Sequence, residues 1–577
     1  VTSRVSVGPG GVHATSISRY QAITPDGRYV IFTSGANNLV VGPPGPFSDV
    51  FVRDLWTGSN DRVSVDSAGV QGNDESGSSA LGISADGRLA AFDSAATNLV
   101  AGDTNGFSDI FVHDRQTGAN ERVNVDPAGG EADDYSLYPA ISADGRYVVF
   151  FSAATNLVAG DTNGRGDFFV RDLLAGTTER VSVDSAGVQG DQDAVGQPSI
   201  SADGRFVAFV SGATNLVPGD TNYVWDIFVH DRQSGATERV SVDSAGVQGN
   251  QFSIGVSISG DGRYVAFGSF AYNLVPVWDG AYRYHIYVHD RLSGTTERVS
   301  VDSAGALGNS DSYFPSISAD GRYVAFESDA TNLVAADTNA RRDIFVHDMK
   351  SGTNVLVSLD SAGAQGNANS TFPSISSDGR FVAFDSVATN LVPGDTNGYM
   401  DIFLRDLNAV GFTSLCHPGI AGVSACPCSN PPGVQGRGCN NSSGTGGAVL
   451  AASGIAYLSM DSLVFTTGGE KPTALSIVLQ GTASLVTGAV FGQGVRCVAG
   501  TLKRLYAKTA SAGSITAPEF GAGDPTVSAR SASTGDVIQP GQSRWYAVYY
   551  RDPIVLGGCP AGSAFNATQT GEVEWLP

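Results

Sequence analysis

The residues best suited to chemistry in this chain are oxygen donors at fixed spacing. Asp-x-Asn-Gly-x-x-Asp occurs at Asp103, Asn105 and Asp109, at Asp161, Asn163 and Asp167, and at Asp395, Asn397 and Asp401. Two further stretches, Asp220, Asn222, Asp226 and Asp337, Asn339, Asp343, keep the donors and lose the glycine. Alternate oxygen-bearing side chains on a tight turn, followed by an acid at a strand start, can converge on Ca²⁺, which takes roughly six to eight oxygens. The same side chains equally suit capping of the turn's own amides. Calcium of weak, extracellular-type affinity is the cofactor expectation, and no motif calls for an organic cofactor.

A second group is aromatic. Tyr223 and Trp225 interrupt one of these stretches, and Trp278, Tyr282 and Tyr284 fall in the corresponding place farther along. Clustered Trp and Tyr at loop tips fit a protein hot spot or a sugar-stacking surface, or else fold over to cover adjacent loops. The histidines carry less. His113, His230, His289 and His347 share one periodic position with Arg53, Arg171 and Arg405, which marks them as structural. His13, His285 and His417 lie elsewhere, with no acid or nucleophile arrayed around them. There is no nucleophile elbow, zinc-protease motif, Walker loop or dinucleotide fingerprint, so the chain reads as non-enzymatic.

The elements that position these residues follow from a repeat. Asp-Gly-Arg followed by an apolar run recurs at Asp26, Asp86, Asp144, Asp203, Asp261, Asp320 and Asp378, so copies lie 58 to 60 residues apart. Each copy divides into four short strands. Runs such as YVAF and IFV are apolar throughout, as a sheet covered on both faces requires. The expected fold is an all-β, seven-bladed propeller over residues 1–410. Its four-to-one and two-to-three loops emerge on one face, which places the acidic and aromatic stretches together. The repeated Arg and Asp of the DGR and HDR segments are expected to form surface ion pairs, each worth little alone. Ser3–Val7 matches the outermost strand of a unit and is expected to close the last blade, with Phe412–Leu415 as the competitor.

The unit resembles the WD40-like repeat of TolB-type bacterial propellers, whose SPDGRxIAF and DIYVxD segments match SADGRYVAF and DIFVHD here. The acidic loops are similar to the calcium hairpins of integrin-type propellers, with the first ligand position removed.

Beyond residue 410 the repeat stops. A Cys-, Pro- and Gly-rich linker is expected at 411–446 and a small β-sandwich-like domain at 447–577. All six cysteines, Cys416, Cys426, Cys428, Cys439, Cys497 and Cys559, fall in this part, and an even number without finger spacing implies disulfides and an oxidising compartment. The net charge of −23 opposes nucleic acid or anionic membrane as a partner. No stretch is long and apolar enough to insert in a membrane. The chain begins at Val1 without a leader, so any secretion signal is expected to have been removed.

These features point to a secreted bacterial scaffold or binding protein, with a protein partner, itself or a carbohydrate as ligand. In one version it self-assembles into a filament or surface layer. The alternatives are a carbohydrate-active lyase or hydrolase on the propeller face, and a TolB-like periplasmic envelope partner.

Overall fold

The computed structural model describes residues 1–42, 45–278, 280–335, 337–407, 413–415, 424–426, 432, 438–445, 447–453, 463–491, 493–519, 523–539, 542–552, 565–568 and 570–575. The chain forms two compact units, Val1–Leu407 and Asn408–Pro577.

In the first unit each of the first six sequence copies makes one antiparallel four-stranded sheet, and the seventh makes three strands of another. Blade six is representative, with strands Ser312–Ile317, Tyr323–Ser328, Asp343–Asp348 and Thr353–Leu356. The apolar runs are buried on both faces because neighbouring blades stack. Ile31, Val50 and Val52 of blade one share a core with Leu81, Phe92 and Phe111 of blade two, and similar cores recur between successive blades. Each such side chain withdrawn from water stabilises the ring by about 1.5 to 3 kcal/mol.

Thr2–Arg4 closes the ring as the fourth strand of blade seven. It pairs antiparallel with Asp401–Asp406, with Ser3 opposite Leu404, and the Val5 amide continues the ladder to the Ile402 carbonyl at 2.7 Å. The competing segment, Thr413–Leu415, instead pairs with Thr570–Trp575 in the second unit. On the opposite face the Asp-Gly-Arg turns chain blade to blade. The Ala202 amide donates to the Gly260 carbonyl, the Gly260 amide to the Ala319 carbonyl, and the Ser377 amide to the Pro25 carbonyl across the closure.

Each Arg of these turns pairs with the Asp ending the third strand of its own blade, as Arg322 does with Asp348 at 2.8 Å. The turn glycines meet two demands at once. Gly321 sits at φ 73°, and a Cβ there would overlap the Tyr264 ring of the preceding blade.

The innermost strands are irregular. Most carry a register shift near their upper end, and residues there take the left-handed conformation. In blades one, three, six and seven these are not glycines but Tyr20, Tyr138, Phe314 and Phe372, at φ 48° to 57°. Such bulges re-aim side chains at some backbone cost.

The second unit is an all-β region with a disulfide. Its main sheet is built around Leu475–Gly481 and Gln542–Arg551, beside a smaller sheet of Val449–Ser453, Val464–Gly468 and Thr516–Ala517. Phe465 of the smaller sheet and Val478, Tyr546 and Val548 of the larger share one core. Cys426 bonds Cys439, and Cys497 is disulfide-bonded. Cys416, Cys428, Cys559 and His417 lie outside the described residues. Among the described residues no helix is long and apolar enough to cross a membrane.

Candidate functional site

The predicted oxygen donors do converge, at the outer end of each loop where the third strand begins. In four blades, however, the space between the two acids already holds a cation supplied by the chain. Arg180 lies 2.9 Å from Asp161 and 3.1 Å from Asp167. Arg239 lies 3.1 Å from Asp220 and 3.6 Å from Asp226. Arg4 of the closing strand reaches Asp395 at 2.5 Å and Asp401 at 3.4 Å. In blade two Arg122 contacts Asp103, Asp109 and Glu131 at 3.6, 3.3 and 2.8 Å, within the one cluster of three close acids among the described residues. The Asn residues cap the turn, as Asn163 does by accepting from the Arg165 amide and donating to Asp167 and the Gly190 carbonyl.

Burial raises the carboxyls of Asp109, Asp161, Asp220, Asp337 and Asp401 above their ordinary value, and those of Asp103, Asp226 and Asp343 to about 6. Blade five has no acid at the strand start. His285 stands there, buried, with Nδ1 3.0 Å from the Ser300 hydroxyl, and Arg298 turns to the Tyr287 hydroxyl. Blade six has the acids and no arginine, because Leu356 takes its place.

The four periodic histidines are buried, each bonded through Nδ1 to the facing Asn or Thr, as His230 is to Thr237, and burial lowers their basicity.

The aromatic residues form a larger arrangement than the sequence suggests. From the loop tip of blade four, Trp225 meets Phe252 edge-on at 6.2 Å, and Phe252 meets Phe270 at 5.0 Å. Phe270 packs on Tyr284 at 5.0 Å, and Tyr284 stacks on Tyr313 at 5.2 Å. The path continues through Phe314 to Phe372 at 4.5 Å, and from there to Tyr20 at 6.1 Å. This arc runs from blade four, through five, six and seven, to blade one, along the upper ends of the strands. Tyr223, Trp225, Phe314 and Phe372 are exposed, at 82%, 45%, 44% and 36%.

Tyr284 is a correction to the expected surface group. It is buried, its hydroxyl donating to the Ile254 carbonyl at 2.6 Å, and it serves as an inner rung. Trp278 and Tyr282 stand apart from the arc, packed with Tyr272 at 4.9 and 5.8 Å, and both remain exposed.

Polar groups flank the arc. At its blade-four end a cleft of about 660 Å³ places Asp191, Gln192, Asp193 and Thr214 beside Tyr223 and Trp225. In its middle Asp311 accepts from the Tyr284 amide and the Tyr313 hydroxyl. Arg342 lies 4.7 Å over the Tyr313 ring while pairing with Glu327 and Asp329. Glu327 in turn accepts the Phe372 amide at 2.8 Å, which fixes the bulge that presents that ring. Asp385 lies buried nearby, bonded to the Thr371 hydroxyl, and burial with a push from Glu327 raises its carboxyl to about 7.

No protein-family model matches the sequence, and no curated protein matches it. Among solved structures it is similar to an oligogalacturonate lyase in complex with manganese, at 14% identity over 70% of this chain and 93% of that one, TM-score 0.44. It is also similar to TolB from Acinetobacter baumannii, at 16% identity over 67% and 78%, TM-score 0.31. The β-propeller domain of the trilobed protease from Pyrococcus furiosus matches at 11% identity over 68% and 95%, TM-score 0.42. These are likenesses of architecture alone, and the all-β, seven-bladed ring is established by the chain's own strand pairing.

Proposed function

We propose that this chain is a non-enzymatic binding protein whose recognition surface is the aromatic arc of blades four to one, and that its ligand is a neutral polysaccharide. The observation that carries the reading is the continuity of the arc from Trp225 to Tyr20, with exposed rings along it and Asp, Gln and Thr side chains at its blade-four end. Flat apolar ring faces suit the C–H faces of sugars, and the polar groups suit their hydroxyls. The net charge of −23 disfavours an acidic polymer. A ligand spanning several rungs gains from each, so affinity is expected to grow with chain length.

Affinity electrophoresis through gels containing neutral or acidic polysaccharides tests this, followed by titration with oligosaccharides of increasing length. Trp225→Ala and Phe314→Ala are each expected to weaken binding by about thirtyfold, the loss typical of an aromatic hot spot. Retardation by no neutral polysaccharide, or equal retardation of wild type and the double variant, overturns the proposal. Release of reducing ends or unsaturated sugars during the assay overturns its non-enzymatic part.

A further inference from the structure

The buried acid slots of the propeller form a natural substitution series. Wherever blades two, three, four and seven place two acids at this position, an arginine lies against both. Blade six breaks the rule. Leu356 faces Phe345 in the register by which Arg239 faces Phe228, and it joins the apolar core with that phenylalanine.

The acids themselves are unchanged. Asp343 is fully buried and Asp337 is 8% exposed. One oxygen of each is satisfied, Asp343 Oδ1 by the Ser358 hydroxyl at 2.5 Å and Asp337 Oδ1 by the Gln365 amide at 3.3 Å. Asp337 Oδ2 is buried without a hydrogen-bond partner, and Asp343 has the Asn339 side chain as its other neighbour but no arginine. Two buried carboxylates with no counter-charge are costly, and a chain that only needed to fold would lose them with the arginine.

We propose that blade six binds Ca²⁺ between Asp337 and Asp343, in the place that its sister blades give to a guanidinium. Two carboxylates match a divalent charge. All the donors are hard oxygens, and the amide oxygens of Asn339 and Gln365, which accept from the Arg341 and Thr338 amides, border the same loop. Few protein ligands, with water completing the shell, set a weak affinity, with Kd on the order of 10⁻⁴ to 10⁻³ M.

The test uses the full chain freed of metal with EDTA, titrated with CaCl₂ by calorimetry and followed by thermal unfolding. Leu356→Arg, which restores the sister-blade pairing, is expected to take up one equivalent fewer than wild type and to raise Tm in EDTA. Asp343→Asn is expected to lose the same equivalent, and keeps the test intact if the arginine variant fails to fold. Arg239→Leu, which recreates blade six in blade four, is expected to gain one. Equal uptake by wild type, Leu356→Arg and Asp343→Asn overturns the proposal, as does binding of Mg²⁺ in preference to Ca²⁺.

Discussion

At the scale of single residues, the position ending each fourth strand decides what the loop acids do. Arg180 neutralises Asp161 and Asp167, so Arg180→Leu strands two buried charges and is expected to cost about 3 to 5 kcal/mol in denaturant unfolding with EDTA present. Asp385 offers a separate handle. Its carboxyl titrates near 3.8 ordinarily and near 7 in the fold, so the folded chain holds an extra proton between about pH 4 and 7. Its contribution is full below pH 4 and is lost as pH rises through 7, with a slope of at most about 1.4 kcal/mol per pH unit. The Asp385→Asn curve is expected to lack that slope, so wild type loses stability relative to the variant as pH rises from about 4 to 7. The acids of the slots were legible in the sequence because they repeat. Their arginine partners were not, because they sit on a different strand and, for Arg4, nearly 400 positions away along the chain.

At the scale of elements, the Asp-Gly-Arg turn does two jobs, closing a hairpin and seating a side chain of the preceding blade, an aromatic ring everywhere but at Gly145, which meets Leu89. Gly321→Ala confronts both the positive φ and the Tyr264 ring, and is expected to cost about 2 to 5 kcal/mol in urea unfolding. Gly363→Ala, at φ 90° with open space around its Cβ, is expected to cost only the backbone part, about 1 to 2 kcal/mol. Strand count and order were readable because apolar runs recur at fixed distance from this turn. The bulges were not: Tyr20, Tyr138, Phe314 and Phe372 look like ordinary strand residues, and no composition signal marks a non-glycine residue forced to positive φ. The arc that Tyr20, Phe314 and Phe372 help to build was therefore seen only at Trp225 and Tyr284. Phe252, Phe270, Tyr313 and Phe372 fall at different positions of their repeats, and only the stacking of successive blades brings them into line.

At the scale of the propeller, stability depends on having no free edge. Removing residues 1–7 deletes a strand and the arginine beside Asp395 and Asp401, and bares Asp401–Asp406 as an unpaired edge. The truncated chain is expected to aggregate and to lose a single cooperative melting transition, measured by light scattering and calorimetry. A synthetic peptide of residues 1–7 added during refolding is expected to restore part of both. The same closure sets a timetable. Thr2 and its contact Arg405 are 403 positions apart in the chain. At a synthesis rate of about 5 to 20 residues per second, roughly 20 to 80 seconds pass between the emergence of one and the other. Throughout that interval the Thr2–Arg4 strand lacks its partner, and the growing stack of blades keeps an open edge until the last blade arrives to receive it.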